Sequence, residues 1–193
     1  MNLDLIKELR ARTGGGIVEV KEALTEAKGD PELAISLLRK KGVIKAAKKA
    51  DRTVGEGVVT SYIHSNNKLG VLVALRCETD FVARNAKFQE LARNIALHIA
   101  AADPIAVNPA DIDSSLVATE REIALDQLKN SDKPAAIQEK IVAGKLKAFT
   151  EEKALLTQVY VKDPSKKVQD LITEAIQELG ENITISTFAR LSI

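Results

Sequence analysis

The side chains best able to do chemistry in this 193-residue sequence are one cysteine, Cys77, and two histidines, His64 and His98. Nucleophilic catalysis needs a thiol or hydroxyl beside a base, yet no stretch resembles a nucleophile elbow or a protease signature. His64 falls at the end of an extended run next to a turn. His98 lies within a helical pattern between Leu97 and Ile99, so both histidines read as structural. Three Cys and His side chains are too few for a zinc site built from those ligands alone. A single cysteine also excludes an internal disulfide framework and fits a reducing compartment. Gly14-Gly15-Gly16 suggests a phosphate loop, but it follows no strand and no Gly-x-x-x-x-Gly-Lys-Ser/Thr occurs. Gly144-Lys145 is followed by Leu146, which lacks the hydroxyl for Mg²⁺. Both glycine sites read as helix stops. The expectation is a chain with no catalytic residue, no metal and no cofactor of its own.

Binding chemistry is more promising. Seven bases (Arg39, Lys40, Lys41, Lys45, Lys48, Lys49, Arg52) and one acid, Asp51, lie between Arg39 and Arg52. That leaves 21 of the 28 bases and 26 of the 27 acids for the rest of the chain, so positive charge is concentrated in one segment. Three readings stand open. The run is a solvated helix face, a contact for an acidic partner surface, or a phosphate-neutralising RNA contact. The first two stand level. RNA comes third, because aromatic residues are only 3% of the chain, Trp is absent, and no rings interleave the bases.

The unusual segment is Glu78–Asn85. Thr79 or Asp80 can cap the next helical turn, and a large apolar residue, Phe81, follows at once. Residue chemistry favours Phe81 packed inward as an anchor at a strand–helix junction. The alternative is an exposed aromatic beside an acid on a rigid turn, which suits an interaction hot spot. Periodicity does not choose between them.

The elements around these residues are legible from spacing. Leu5, Ile6 and Leu9 share one face of a first helix that stops at Thr13–Gly16. Ile17, Val20, Leu24 and Ala27 define a second, ending near Gly29. Asp30-Pro31 caps a third, with Leu33, Ala34, Leu37 and Leu38 inward and a stop at Gly42. This bundle, residues 1–42, resembles a ubiquitin-associated domain. Residues 43–54 read as a basic linker helix, and 55–193 as a core domain. There, Gly57–His64 and Leu69–Cys77 form a hairpin around Ser65–Lys68. Val71, Val73, Leu75 and Cys77 share one face, and apolar Leu72 and Ala74 suggest that the other is covered too. Helices follow with Phe88, Leu91, Ala92, Ile95, Ile99 and Ala102 at core spacing, then over 116–128, 134–153 and 168–179. Val159–Val161 is a short extended piece, and residues 183–191 form a last strand that can pair with the hairpin. The fold class is α+β, an antiparallel sheet covered by helices. The N-terminus lacks a targeting pattern, and no apolar stretch is long enough to span a bilayer, so the expected location is cytoplasmic.

Two long motifs carry a resemblance. Leu9-Arg10-Ala11-Arg12-Thr13-Gly14-Gly15-Gly16-Ile17, continuing to Lys21-Glu22-Ala23-Leu24, resembles the N-terminal signature of the elongation factor Ts family. Cys77-Glu78-Thr79-Asp80-Phe81-Val82-Ala83-Arg84 resembles its second signature. Lys45-Ala46-Ala47-Lys48-Lys49-Ala50 is similar to the family's linker, and Lys133-Pro134, Glu139–Val142 and Val161-Lys162-Asp163 also fit. Ala74 and Arg76 depart from the Glu and Asn more usual there, and Val159-Tyr160 from Pro-Phe. The resemblance implies an elongation factor that binds elongation factor Tu, GDP-bound or nucleotide-free, and promotes exchange of GDP for GTP without covalent chemistry. Phe81 would be the wedge, and Asp80 would help disturb the partner's Mg²⁺ site. Thr79 and Val82 would set and pack the turn. Leu9, Arg10, Thr13, Gly14, Lys48 and Lys49 would add partner contacts. Long members carry a duplicated core and a protruding coiled coil, and this chain reads as one core copy without the coil. That implies a homodimer in a 2:2 complex, with no DNA or membrane partner and only indirect ribosome or RNA contact.

Overall fold

Helix α1 (Leu3–Thr13) ends where Gly14 takes a left-handed φ of +68°. The Thr13 hydroxyl donates to the Leu9 carbonyl at 2.6 Å and accepts from the Gly15 N–H. Helix α2 (Ile17–Glu26) starts with the Gly16 N–H donating to the Glu19 carboxylate. Asp30 caps α3 (Pro31–Ala47) by accepting from the amides of Glu32 and Leu33. Together the three helices bury Ile6, Leu9, Val20, Ala23, Leu24, Ala27, Ala34, Ile35 and Leu38. Each large member contributes about 1.5–3 kcal/mol. Ile17 and Leu33, expected inside, are exposed, and Ala23 and Ile35 take the buried positions.

The computed structural model describes residues 3–129 and 134–193; Met1, Asn2 and the Lys133 of one motif lie outside them. The chain forms two compact units. One comprises the residues up to Leu97 together with Gln169–Ile193, the other His98–Val168.

Gly42 does not stop α3. The helix runs on to Ala47 and tightens into turns up to Arg52, so the basic run is partly this helix and partly turn rather than a separate helix. The glycine serves packing instead: a Cβ there would overlap the Gln177 side chain of α8 (Val168–Leu179). With its amide turned so that both ends find partners, Gln177 donates to the Thr13 carbonyl and accepts from the Gly42 N–H, each at 3.0 Å.

Strands β1 (Glu56–Ile63), β2 (Leu69–Cys77) and β3 (Thr184–Ser192) form an antiparallel sheet in the order β1-β2-β3. On one face Val71, Val73, Leu75 and Cys77 are buried. An irregularity opposite Ala74/Leu75 lets β3 keep both Ile185 and Phe188 on that side, since Leu75 pairs with Ile185 and Val73 with Phe188. The other face is not covered. Val59, Ile63, Leu72 and Leu191 are all exposed there, a correction to the expected two-sided burial. The architecture is α+β.

Helices α4 (Asp80–Ala83) and α5 (Ala86–Ala102) follow β2. In the second unit, α6 (Ser114–Asp126) and α7 (Ala135–Lys153) pack antiparallel around Ala124, Leu128 and Val142. These are the two helices expected over 116–128 and 134–153, each displaced by no more than two residues. Val159 meets Lys167 in an isolated bridge, in place of the extended piece. No described helix is long and apolar enough to cross a membrane.

Candidate functional site

Strand β2 delivers the chain to a single helical turn. Thr79 is its cap, with extended backbone (φ −128°, ψ 158°) and a hydroxyl that accepts the Val82 N–H at 3.4 Å. The turn is then closed by Ala83 N–H on the Thr79 carbonyl and Arg84 N–H on that of Asp80. Ala83 is the one buried residue of α4. Residues two apart on a helix differ by about 200°, so burying Ala83 drives Phe81 to the opposite side. Phe81 is accordingly 82% exposed, on a short capped turn, and the inward-anchor reading is corrected.

Asp80, next to it, pairs with Arg84 at 3.2 Å. Both side chains are well exposed, so this i,i+4 pair is worth about 0.3–0.5 kcal/mol and is easily exchanged for another cation. Val82 is half-buried beside Ala83. Sequence reasoning missed the support beneath the turn. The Glu181 carboxylate accepts the amides of Glu78 and Thr79 at 3.0 Å each and the Thr79 hydroxyl at 2.6 Å. No local signal could have found a contact reaching across 102 residues.

The other expected contacts divide. Leu9 and Thr13 are buried; their side chains build the core and the turn of the three-helix bundle and offer no surface themselves. Arg10 is exposed, its Nε reaching the Gly15 carbonyl, and Gly14 lies so close to α8 that a Cβ would stand 2.9 Å from the Glu174 carbonyl. Lys48 is exposed. Lys49 donates to the Gly180 carbonyl, and burial, with Arg52 nearby, lowers its pKa. Much of the basic run is thus engaged by this chain's own acceptors. Lys41 meets Glu26 at 3.5 Å, Lys45 meets Glu19, and Arg52 meets Glu78 at 3.5 Å. That pairing weakens the pull of the run on any anionic partner, acidic protein surface and RNA alike.

Each residue that first suggested chemistry has a structural setting of its own. The Cys77 thiol is buried, donates to the Thr79 carbonyl, and is pushed up to about 11 by desolvation, so it stays a neutral thiol. His64 is exposed at the hairpin turn, 3.1 Å from the Tyr62 hydroxyl. His98 is fully buried beside Tyr160, bonded to Gln158 Oε1 through Nε2, with Nδ1 accepting the Val161 N–H. Among the described residues no cluster of three or more His, Cys, Asp or Glu could hold a metal.

Burial holds His98 below its ordinary pKa by penalising the charged ring, against a smaller opposing pull from its bond to Gln158. The neutral form is therefore favoured on folding. Stability is fully present above the unfolded-chain value near 6.5 and declines as pH falls below it, toward the lowered folded value. Thermal melts between pH 7 and pH 5 should show this loss, at most about 1.4 kcal/mol per pH unit from this group. In His98→Gln the pH-dependent part of that loss should shrink.

Comparison with known proteins agrees with the two motifs. A family model described as Elongation factor TS matches residues 30–193. The chain is 52% identical over 189 residues to elongation factor Ts of Thermosipho melanesiensis, covering 98% of this chain and 96% of that protein. It is 49% identical over 193 residues to that of Thermotoga maritima, covering 100% and 96%. With that of Solidesulfovibrio magneticus it shares 47% over 188 residues, covering 97% and 94%. A match of this extent runs through the three-helix bundle, the sheet and the capped turn alike. The chain therefore belongs to the elongation factor Ts family, and with it to the elongation factors of protein synthesis.

Proposed function

We propose that this chain binds elongation factor Tu, in its GDP-bound and nucleotide-free forms, and accelerates GDP release by disturbing the partner's Mg²⁺ and phosphate site. The observation that supports this reading is the exposure of Phe81, an aromatic held outward beside Asp80 on a turn with little freedom. An exposed aromatic on a pre-organised element binds at low entropic cost. Phe81 acts as the wedge and Asp80 bears on the Mg²⁺ environment. Thr79 caps the turn and Val82 packs it. Arg10, Gly14, Lys48 and Lys49 supply further contacts, with Leu9 and Thr13 holding that end of the bundle in shape. In this reading residues 1–42 dock on the partner, 43–54 link, and 55–193 carry the wedge and the dimer contact.

Catalysis of exchange by this route is coupling alone. A surface that binds the nucleotide-free, Mg²⁺-poor conformer more tightly must weaken GDP binding by the same factor. GTP then refills the site. Residues 55–193 also support a homodimer that binds two Tu molecules in the cytoplasm. The uncovered apolar face of the sheet suits a second copy, because a two-fold axis apposes identical faces as a sandwich.

Stopped-flow release of fluorescently labelled GDP from Tu tests the function. The rate should rise with added chain and then saturate. A release rate that does not change at any concentration of chain would refute the reading.

A further inference from the structure

The three residues after α8 join the wedge turn to the end of the basic run. From Gly180, at φ +81°, the chain turns away from the helix. Its carbonyl accepts Lys49, and the next two residues carry opposite roles. Asn182 donates its side-chain amide to the carbonyls of Ala50 and Arg52 at 3.2 and 3.0 Å, and its backbone N–H to the Glu78 carboxylate at 2.6 Å. Glu181 takes the amides of Glu78 and Thr79 on one carboxylate oxygen and the Thr79 hydroxyl on the other.

That last bond has a directional consequence. A threonine hydroxyl has one proton to give and two lone pairs. With the proton spent on Glu181, a lone pair is left facing the Val82 N–H, which is how the cap on α4 is made. A four-residue helix has almost no hydrogen-bond ladder of its own, so its orientation depends on its cap and on what grips the chain just before it. Glu181 supplies both, with bonds to an ionised acceptor.

The geometry points to Glu181 as the positioning residue of the wedge: it fixes the direction in which Phe81 and Asp80 are presented, without touching the partner's nucleotide site. This rests on the wedge reading above and extends it to a residue outside the two motifs. Together with Asn182, which binds the end of the linker, Glu181 lets one short loop set both the wedge and the exit of the basic segment.

The test separates position from binding and from fold. Glu181→Ala removes all three bonds. It should lower the saturating rate of GDP release from Tu about tenfold or more, the worth of a charge-assisted hydrogen bond, while the half-saturating concentration moves by less than about threefold. Glu181→Gln keeps an oxygen for the two amides and should recover most of the rate. A folded Glu181→Ala that saturates at the wild-type rate, while Phe81→Ala is slow, overturns the inference and leaves the wedge reading standing. Wild-type speed in Phe81→Ala removes the wedge reading, and this inference with it. Hydrogen exchange in the wild-type chain checks the contact without any variant. The Glu78 and Thr79 amides should be protected, and exchange at unfolded-peptide rates would overturn the assignment.

Discussion

Phe81→Ala should leave the melting temperature within about 2 °C of the wild type and still slow Tu-bound GDP release by roughly 30- to 1,000-fold. The two halves of this result come from one observation. Phe81 is 82% exposed, so truncating it removes almost no packing from the free protein, and surface substitutions of this kind stay within about 0.5 kcal/mol. A buried phenylalanine would behave otherwise, costing about 3–5 kcal/mol when cut to alanine. Melting alone therefore decides between the anchor and the exposed side chain. The kinetic half tests use. An aromatic that enters a partner's pocket as a hot spot is worth about 2–4 kcal/mol, which converts to the stated range. A variant that melts like the wild type and releases GDP at the wild-type rate would show an exposed aromatic with no part in exchange. Asp80→Ala, losing only a weak pair with Arg84, should be equally neutral to stability.

The turn is legible in the sequence but its orientation is not, and the reason is physical. Helical periodicity needs several turns to define a face. Residues 80–83 make one. What orients them is a buried Ala83 and a carboxylate from 102 residues away, neither of which has a signature near Phe81. Where an element is longer its spacing can suffice: Val168–Leu179 is legible to the residue, because it is amphipathic and closed by Gly180. Gly42 marks the opposite failure. A glycine after an apolar run reads as a stop, yet its partner is Gln177, and only tertiary structure shows that the missing Cβ makes room for a side chain.

The basic run shows the same limit for charge. Seven bases within fourteen residues look like a surface seeking an anion. The fold brings Glu19, Glu26 and Glu78 to three of them and the Gly180 carbonyl to a fourth. Such exposed pairs add little stability one by one, but they cancel much of the field that would draw a polyanion. Charge density along a sequence thus overstated the potential of the folded surface.

Leu72→Asp should convert the proposed dimer to monomer, raising its dissociation constant at least about 100-fold, with the monomer still folded. The sheet's burial pattern is the basis. Along β2 the residues alternate, with Val71, Val73 and Leu75 inward and Leu72 outward on the central strand, flanked by Ser61 and Ala189 in its own row. Ile63 and Leu191 stand one row away, and Val59 on the other side. Four large apolar side chains exposed on one sheet face are a surface that a partner would be expected to cover. Leu72 is half-exposed in the single chain, so a carboxylate there remains hydrated and costs the monomer about 1 kcal/mol or less. In a two-fold sandwich two such carboxylates would be desolvated near the axis, facing one another, which the association could not offset. Sedimentation equilibrium of both proteins reads the outcome directly. A wild-type chain that is monomeric at all accessible concentrations removes the dimer, and an undisturbed dimer in Leu72→Asp moves its interface off this face. If the second copy supplies what the longer members obtain by duplication, GDP release should fall in step with the loss of dimer. Phe81 would remain as exposed in that monomer as it is in the wild-type chain, so exposure of the wedge and completeness of the partner surface become separately measurable.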